Sequence, residues 1–185
     1  MKSSHEIIDR FVRIVFERSG ENQSSSELLL KEAKYGVAIG LLRQEIDTFV
    51  RVTYLNEVSK AEAIRLINEF DNGHQWTYID SKRRITDRDM VNIAKQYYFW
   101  IEKAYEFGCK LIHLSEFYDY KHKDPFLSIS LGDKKEIIKY LDSYHGYRDD
   151  DIDLNRFILY FPKVMRKIEG KIKYYTRDLQ KKLTT

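Results

Sequence analysis

The sequence predicts an all-α protein, a helical bundle of about five to seven helices with two of them long and central. Three observations carry that prediction. Apolar residues recur at steps of three and four along most of the chain, the spacing that gathers them on one face of a helix. No stretch shows the strict alternation of a half-buried strand. The 185 residues include only two prolines and eight glycines, too few for a sheet protein with many tight turns. Apolar residues at 43% and charged residues at 33% exclude a disordered chain. The length fits a single domain over 1–185, with an N-terminal helix and polar linker in 1–25 and the main bundle in 26–185.

The elements follow in order. Ile7, Ile8, Phe11, Val12, Ile14 and Val15 define a short amphipathic helix over 6–18. Ser19-Gly20 and the run 22–26 then read as a polar break. From about 27 to 58 the pattern is helical and unusually apolar. Tyr35, Ile39, Leu42, Ile46 and Phe49 form one stripe, so this helix is expected at the centre of the bundle. Gly36 and Gly40 on it would let another backbone approach. Ser59 and Glu62 are spaced as a capping box for a helix ending at Asp71-Asn72-Gly73.

After a loop over 74–85, Thr86 stands as an N-cap with Asp89 three residues on. The helix behind it carries Met90, Ile93, Tyr97, Ile101, Ala104, Gly108 and Leu111 on one face, which predicts a long helix running toward the stop at Asp124-Pro125. A helix over 133–145 ends at Gly146, and an acidic turn, RDDDID, follows at 148–153. Asp153 caps what comes next, and Pro162 either begins the last helix or kinks a continuous one. Val164, Ile168, Ile172, Tyr175 and Leu179 form its core stripe.

The segment 97–126 concentrates chemistry. It holds the only cysteine, Cys109, one of two tryptophans and two of five histidines. Glu106, Lys110, His113 and Phe117 stand at i, i+4, i+7 and i+11 and share a face if the helix continues through them. A carboxylate, an ammonium and an imidazole together suffice for general acid–base work. The same spacing equally describes a solvated face with a Glu–Lys pair. On the central helix, Arg43, Asp47 and Arg51 form a ladder that must be paired where it is buried. Tyr105, Tyr120 and His122 complete the expected binding set.

The last helix carries two basic ridges, Lys163–Lys167–Lys171 and Arg166–Lys173–Arg177. Such a surface attracts phosphates, or is an ordinary wet face compensated by RDDDID. Asp71/His74, Asp119/His122 and Asp142/His145 have i, i+3 spacing, but facing carboxylates are not identifiable and one cysteine gives no paired thiolates. No metal and no cofactor are expected. The polar start MKSSHEIIDR, the lone cysteine and the lack of a long apolar run lead to the expectation of a cytoplasmic protein without a membrane segment.

Two stretches, GVAIGLLRQEIDTFVRVTYL at 36–55 and CKLIHLSEFYDY at 109–120, carry a family likeness. The chain resembles the HEPN superfamily, helical domains of prokaryotic toxin–antitoxin, phage-defence and RNA-processing systems. In that family a long helix ends in a histidine followed by a small polar residue, as His113-Leu114-Ser115 does here. The resemblance implies a homodimer that binds RNA or a nucleotide and acts as a metal-independent endoribonuclease, with His113 as general acid/base. Lys110 or an arginine of the central helix would then stabilise phosphate charge. Active members place an arginine four to six intervening residues before the histidine. Here Glu106, Phe107 and Gly108 occupy those positions. The alternative is a non-catalytic homodimeric interaction module of the same fold, anchored by rings such as Tyr98, Phe99, Trp100, Phe117, Tyr118 and Tyr120.

Overall fold

The computed structural model describes residues 3–184. It is an all-α bundle of seven helices among the described residues: α1 (Ser4–Lys31), α2 (Tyr35–Glu57), α3 (Lys60–Asp71), α4 (Asp87–Ala94), α5 (Ile101–Ile112), α6 (Leu131–His145) and α7 (Leu154–Thr184). Two 3-10 turns, Glu116–Asp119 and Pro125–Ser128, join α5 to α6. The only extended pairing among the described residues is an isolated bridge between Thr77 and Arg84.

The central element is α2, which packs against α1, α4, α5 and α7. Its expected stripe is fully buried at Ile39, Leu42, Ile46 and Phe49. Lys182 of α7 reaches its C-terminus and donates to the carbonyls of Leu55 (3.1 Å), Asn56 (2.7 Å) and Val58, which an α-helix leaves without intrahelical partners. No described helix is long and apolar enough to cross a membrane.

Three boundaries differ from the sequence expectation. The polar segment 19–26 is no linker but the second half of α1. Ser19, Asn22 and Ser26 recur at helical spacing and are buried. Ser19 and Asn22 donate to the buried carboxylate of Glu45 at 2.7 and 2.8 Å. The break falls later, at 32–34, where Ala33 adopts a left-handed φ of 51° and Lys34 N–H donates to the Leu29 carbonyl at 2.8 Å. That is a helix stop of the Schellman type, built without its customary glycine.

The long helix expected from Thr86 onward is two helices. Thr86 and Asp89 form the capping box, but α4 ends at Ala94 and a turn over 95–100 precedes α5. Four consecutive rings, Tyr97 to Trp100, would point around the whole circumference of a helix. The turn instead lets Tyr98 and Trp100 both reach Phe49 of α2, with ring centroids 5.2 and 6.3 Å away. Pro162 lies inside a continuous α7, and Asp153 caps that helix through the Arg156 N–H at 2.8 Å.

Candidate functional site

The first candidate, around His113, does not assemble as its spacing predicts. α5 stops at Ile112, and His113 is its C-cap with extended backbone (φ −98°, ψ 149°). Ser115 Oγ donates to the Lys110 carbonyl and accepts from Phe117 N–H at 3.3 Å, which closes the helix end. The face containing Glu106 and Lys110 therefore never reaches His113. Glu106 is held by Arg88 at 3.2 Å and Lys103 at 3.3 Å. The Lys110 ammonium lies 4.7 Å from the Phe117 ring centroid. His113 and His122 are solvent-exposed, and no hydrogen bond or ion pair joins His113 to Glu106 or Lys110 among the described residues. Tyr120 packs against Tyr35 and Tyr118, at the end where its ring edge closes on Gly36.

The ladder on α2 is paired, but not internally. Asp47 accepts from Arg51 at 3.2 Å and from Arg18 of α1 at 3.5 Å. No hydrogen bond or ion pair joins Arg43 to Asp47 among the described residues. Arg43 bonds Asp87 at 3.0 Å, and Asp87 takes Arg51 at 2.8 Å on its other oxygen. Arg43 also lies 3.8 Å from the centroid of the Tyr105 ring and donates to Cys109 Sγ at 3.3 Å. Burial works against its charge, while Cys109 and Tyr105 favour it and leave its pKa raised overall. Asp87, at the first turn of α4, thus ties α4 to α2 through two arginines, and Arg43 carries the joint on to Tyr105 and Cys109 of α5. Sequence spacing on α2 could not reveal it, because the bridging carboxylate comes from another element. With both guanidinium groups committed to Asp87 and Arg43 buried, the ladder is a structural joint between helices.

The two basic ridges of α7 differ at Arg166 and Lys173, while Arg177 carries no ion pair among the described residues. Arg166 pairs with Glu27 at 3.7 Å and Lys173 with Glu169 at 2.6 Å. Lys163, Lys167 and Lys171 instead lie against rings: 5.0 Å from the centroid of Tyr160, 2.9 Å from Tyr144 and 5.2 Å from Tyr98. Lys139 of α6 joins them, 5.1 Å from the Phe99 ring. None of these four lysines is paired with a carboxylate among the described residues. Two of the four aspartates in the acidic loop are engaged elsewhere, Asp151 with Lys134 at 3.3 Å and Asp153 with Arg156 at 3.5 Å.

The rings beneath the lysines are partly open to solvent. Phe99 and Tyr144, 43% and 44% exposed, stack on one another at 6.4 Å with planes 19° apart. Tyr144 also meets Tyr140, which touches Trp100 at 5.0 Å. The crowding of cations is felt by the local titrations. Burial and the nearby Lys171 push Lys167 down to about 8. Burial, then Lys167 and Lys163, push His145 down to about 4. An arriving anion would offset the part of each shift that comes from the neighbouring lysines, not the larger part that comes from burial.

Beside this face, between α5, α6 and α7, lies a slot of about 40 Å³ lined chiefly by Leu42, Trp100, Ala104, Phe107, Tyr140 and Val164. Lys103 and Glu136 stand among its lining residues. Lys103 is committed to Asp133 at 2.8 Å, which raises its pKa. The Trp100 Nε1–H is buried without an acceptor.

Comparison with protein-family models, characterised proteins and solved structures finds no match for this chain. Among the described residues no group of three or more His, Cys, Asp or Glu side chains is arranged to hold a metal ion. The most distinctive chemistry of the described surface is a ring-backed cationic face, visible in the sequence only as one of two basic ridges. The signal it carried was the recurrence of Lys163, Lys167 and Lys171 at steps of four. That none of them forms an ion pair among the described residues is a tertiary fact.

Proposed function

We propose that this protein binds single-stranded RNA on the face formed by α6, α7 and the 95–100 turn. The observation that carries the reading is that Lys139, Lys163, Lys167 and Lys171 lie over aromatic rings and are paired with no carboxylate among the described residues. Successive lysines on α7 are spaced by about 6 Å along the helix, four residues at the helical rise, which is of the order of the phosphate spacing on an extended strand. The exposed rings Phe99 and Tyr144 offer π-faces on which bases stack regardless of sequence. A folded duplex would present its backbone but not those base faces. The resemblance to HEPN domains supports RNA as the nucleic acid and a toxin or defence setting, and it leaves cleavage without an arginine–histidine pair.

The test is fluorescence anisotropy with a labelled single-stranded oligonucleotide. Binding should weaken with salt, with a log–log slope of about −2 to −3 for four lysine contacts. Lys167→Ala with Lys171→Ala, or Tyr144→Ala alone, should weaken it at least about tenfold, while His113→Ala should leave it unchanged. No binding, or binding indifferent to salt and to the lysine pair, rejects the reading.

A second reading rests on a separate observation. Val37, Ile112, Leu114 and Tyr118 are 47%, 48%, 100% and 43% exposed around the α2–α5 end of the bundle. A second copy of the chain covering this apolar end would make the homodimer that the family likeness implies. Sedimentation equilibrium decides it: a dimer that Leu114→Glu converts to monomer supports the reading, and a monomeric wild-type protein removes it.

A further inference from the structure

We infer that Lys167 is an acylation site, the lysine of this surface that an acyl phosphate modifies without an enzyme. Its surroundings set it apart. The Lys167 ammonium is half-buried, 2.9 Å from the centroid of the Tyr144 ring and 6.0 Å from that of Tyr140, both on α6. Lys163 and Lys171 flank it, each four residues away on the same face of α7. None of the three forms an ion pair with a carboxylate among the described residues. His145 also faces it from α6; burial, then Lys167 and Lys163, hold that ring uncharged at neutral pH, with a pKa of about 4. Rings on one side, cations along the helix and no counter-charge are the conditions under which a lysine gives up its proton and becomes a nucleophile.

The Lys167 pKa is pushed down to about 8, by burial first and Lys171 second. About one Lys167 in ten is then neutral at pH 7, against about one in three thousand for a lysine at its ordinary value of 10.5. A less basic amine is also a weaker nucleophile, which offsets part of that gain. Other lysines lack the combination. Lys103 is held by Asp133 at 2.8 Å and Glu106 at 3.3 Å, which raises its pKa. Burial lowers Lys182 as well, but its ammonium donates to the carbonyls of Leu55, Asn56 and Val58. The flanking charges select the electrophile. Lys163 and Lys171 stand about 6 Å to either side along the helix, placed to hold a phosphate while a small acyl group lies at the amine. The Lys167 nitrogen attacks the acyl carbon, the bond from that carbon to the phosphate oxygen breaks, and the proton lost by nitrogen leaves on the departing phosphate. The products are a neutral amide and inorganic phosphate, and the cluster loses its central cation. On the reading of this face as a single-strand RNA site, acylation weakens RNA binding.

The experiment incubates the full chain with acetyl phosphate between about pH 6 and 10 and follows each lysine by peptide mass spectrometry. At pH 7 Lys167 should be acetylated about tenfold faster than Lys103. Its rate should level off above about pH 8 while that of Lys103 keeps rising. Lys163→Ala with Lys171→Ala, in a protein that retains the wild-type circular dichroism, should slow acetyl phosphate more than the uncharged reagent N-hydroxysuccinimidyl acetate, because only the phosphate needs the flanking cations. Lys167 modified no faster than Lys103, or a Lys167 rate still climbing at pH 10, overturns the site. Equal slowing of the two reagents overturns the acyl phosphate as its substrate. Protein acetylated at Lys167 that binds the labelled oligonucleotide as tightly as unmodified protein removes the RNA reading and leaves the acylation site standing. Salt-dependent oligonucleotide binding by a chain whose Lys167 is not preferentially acetylated does the reverse.

Discussion

Gly108→Ala tests the packing on which the α2–α5 joint depends. A Cβ built at Gly108 would lie 2.7 Å from Arg43 Cβ and 3.2 Å from Arg43 Cα. Ordinary contact begins near 3.4 Å, so the two helices must separate by several tenths of an ångström. The obstructing atoms are a backbone carbon and the first side-chain carbon, which cannot swing aside. Separation also disturbs the Arg43 bonds to Asp87 and Cys109. Overpacking of this kind costs about 1–3 kcal/mol, and the backbone contact puts the cost near the upper end. Alanine returns about 1 kcal/mol of helix propensity over glycine. The net loss is about 2 kcal/mol, or a Tm lower by about 4–8 °C for a chain of this size. Urea and thermal unfolding followed by circular dichroism measure it. A G108A protein as stable as wild type, or more stable, would refute the close approach of α2 and α5.

The remaining predictions concern charge. Asp87→Ala leaves buried Arg43 without a carboxylate, while Arg51 keeps Asp47. Because Arg43 is buried while Asp87 and Arg51 are about one-third exposed, the loss should be about 2 kcal/mol, below the range for fully buried pairs; an unchanged urea midpoint would contradict the bridge. Burial raises the Glu45 pKa above its ordinary 4.5 against the opposing bonds from Ser19 and Asn22, with Arg18 also lowering it and Glu169 raising it. The native state therefore takes up that proton at a higher pH than the unfolded chain, so Glu45 makes stability fall as pH rises above 4.5 and through the raised pKa. Glu45→Gln should remove that fall. Carboxylates with lowered values, such as Asp89 and Asp133, are common to both proteins and cancel in the difference. Urea midpoints of wild type and variant between about pH 4 and 8 that differ by a constant would defeat the argument.

The helical class and most element starts were legible because they depend on local signals. Thr86 with Asp89, Ser59 ahead of Glu62, and Gly146 with φ 72° all act within a few residues of their own position. What stayed hidden depends on partners far along the chain. Ser19, Asn22 and Ser26 look like a linker until Glu45 is opposite two of them. Ala33 ends a helix in a left-handed conformation that its side chain does not advertise. The turn at 95–100 exists because Tyr98 and Trp100 share Phe49. Of the two α2 glycines expected to admit a neighbouring backbone, Gly40 faces only an Ile112 methyl at 3.7 Å and Gly36 faces tyrosine rings. The close backbone contact is at Gly108. The site divides in the same way: periodicity displayed the lysine ridge, but that Arg166 and Lys173 are paired was decided by Glu27 on another helix and by the Glu169 side chain.

The dependence of α1 and α2 on α7 has a consequence for synthesis. Both early helices complete their packing against α7, and the carbonyls ending α2 are met by Lys182. During translation, the apolar sides of residues 4–57 leave the ribosome about a hundred residues before their cover does. Ribosome-bound chains stopped before Leu154 should therefore be captured by holdases that release those carrying α7 in full.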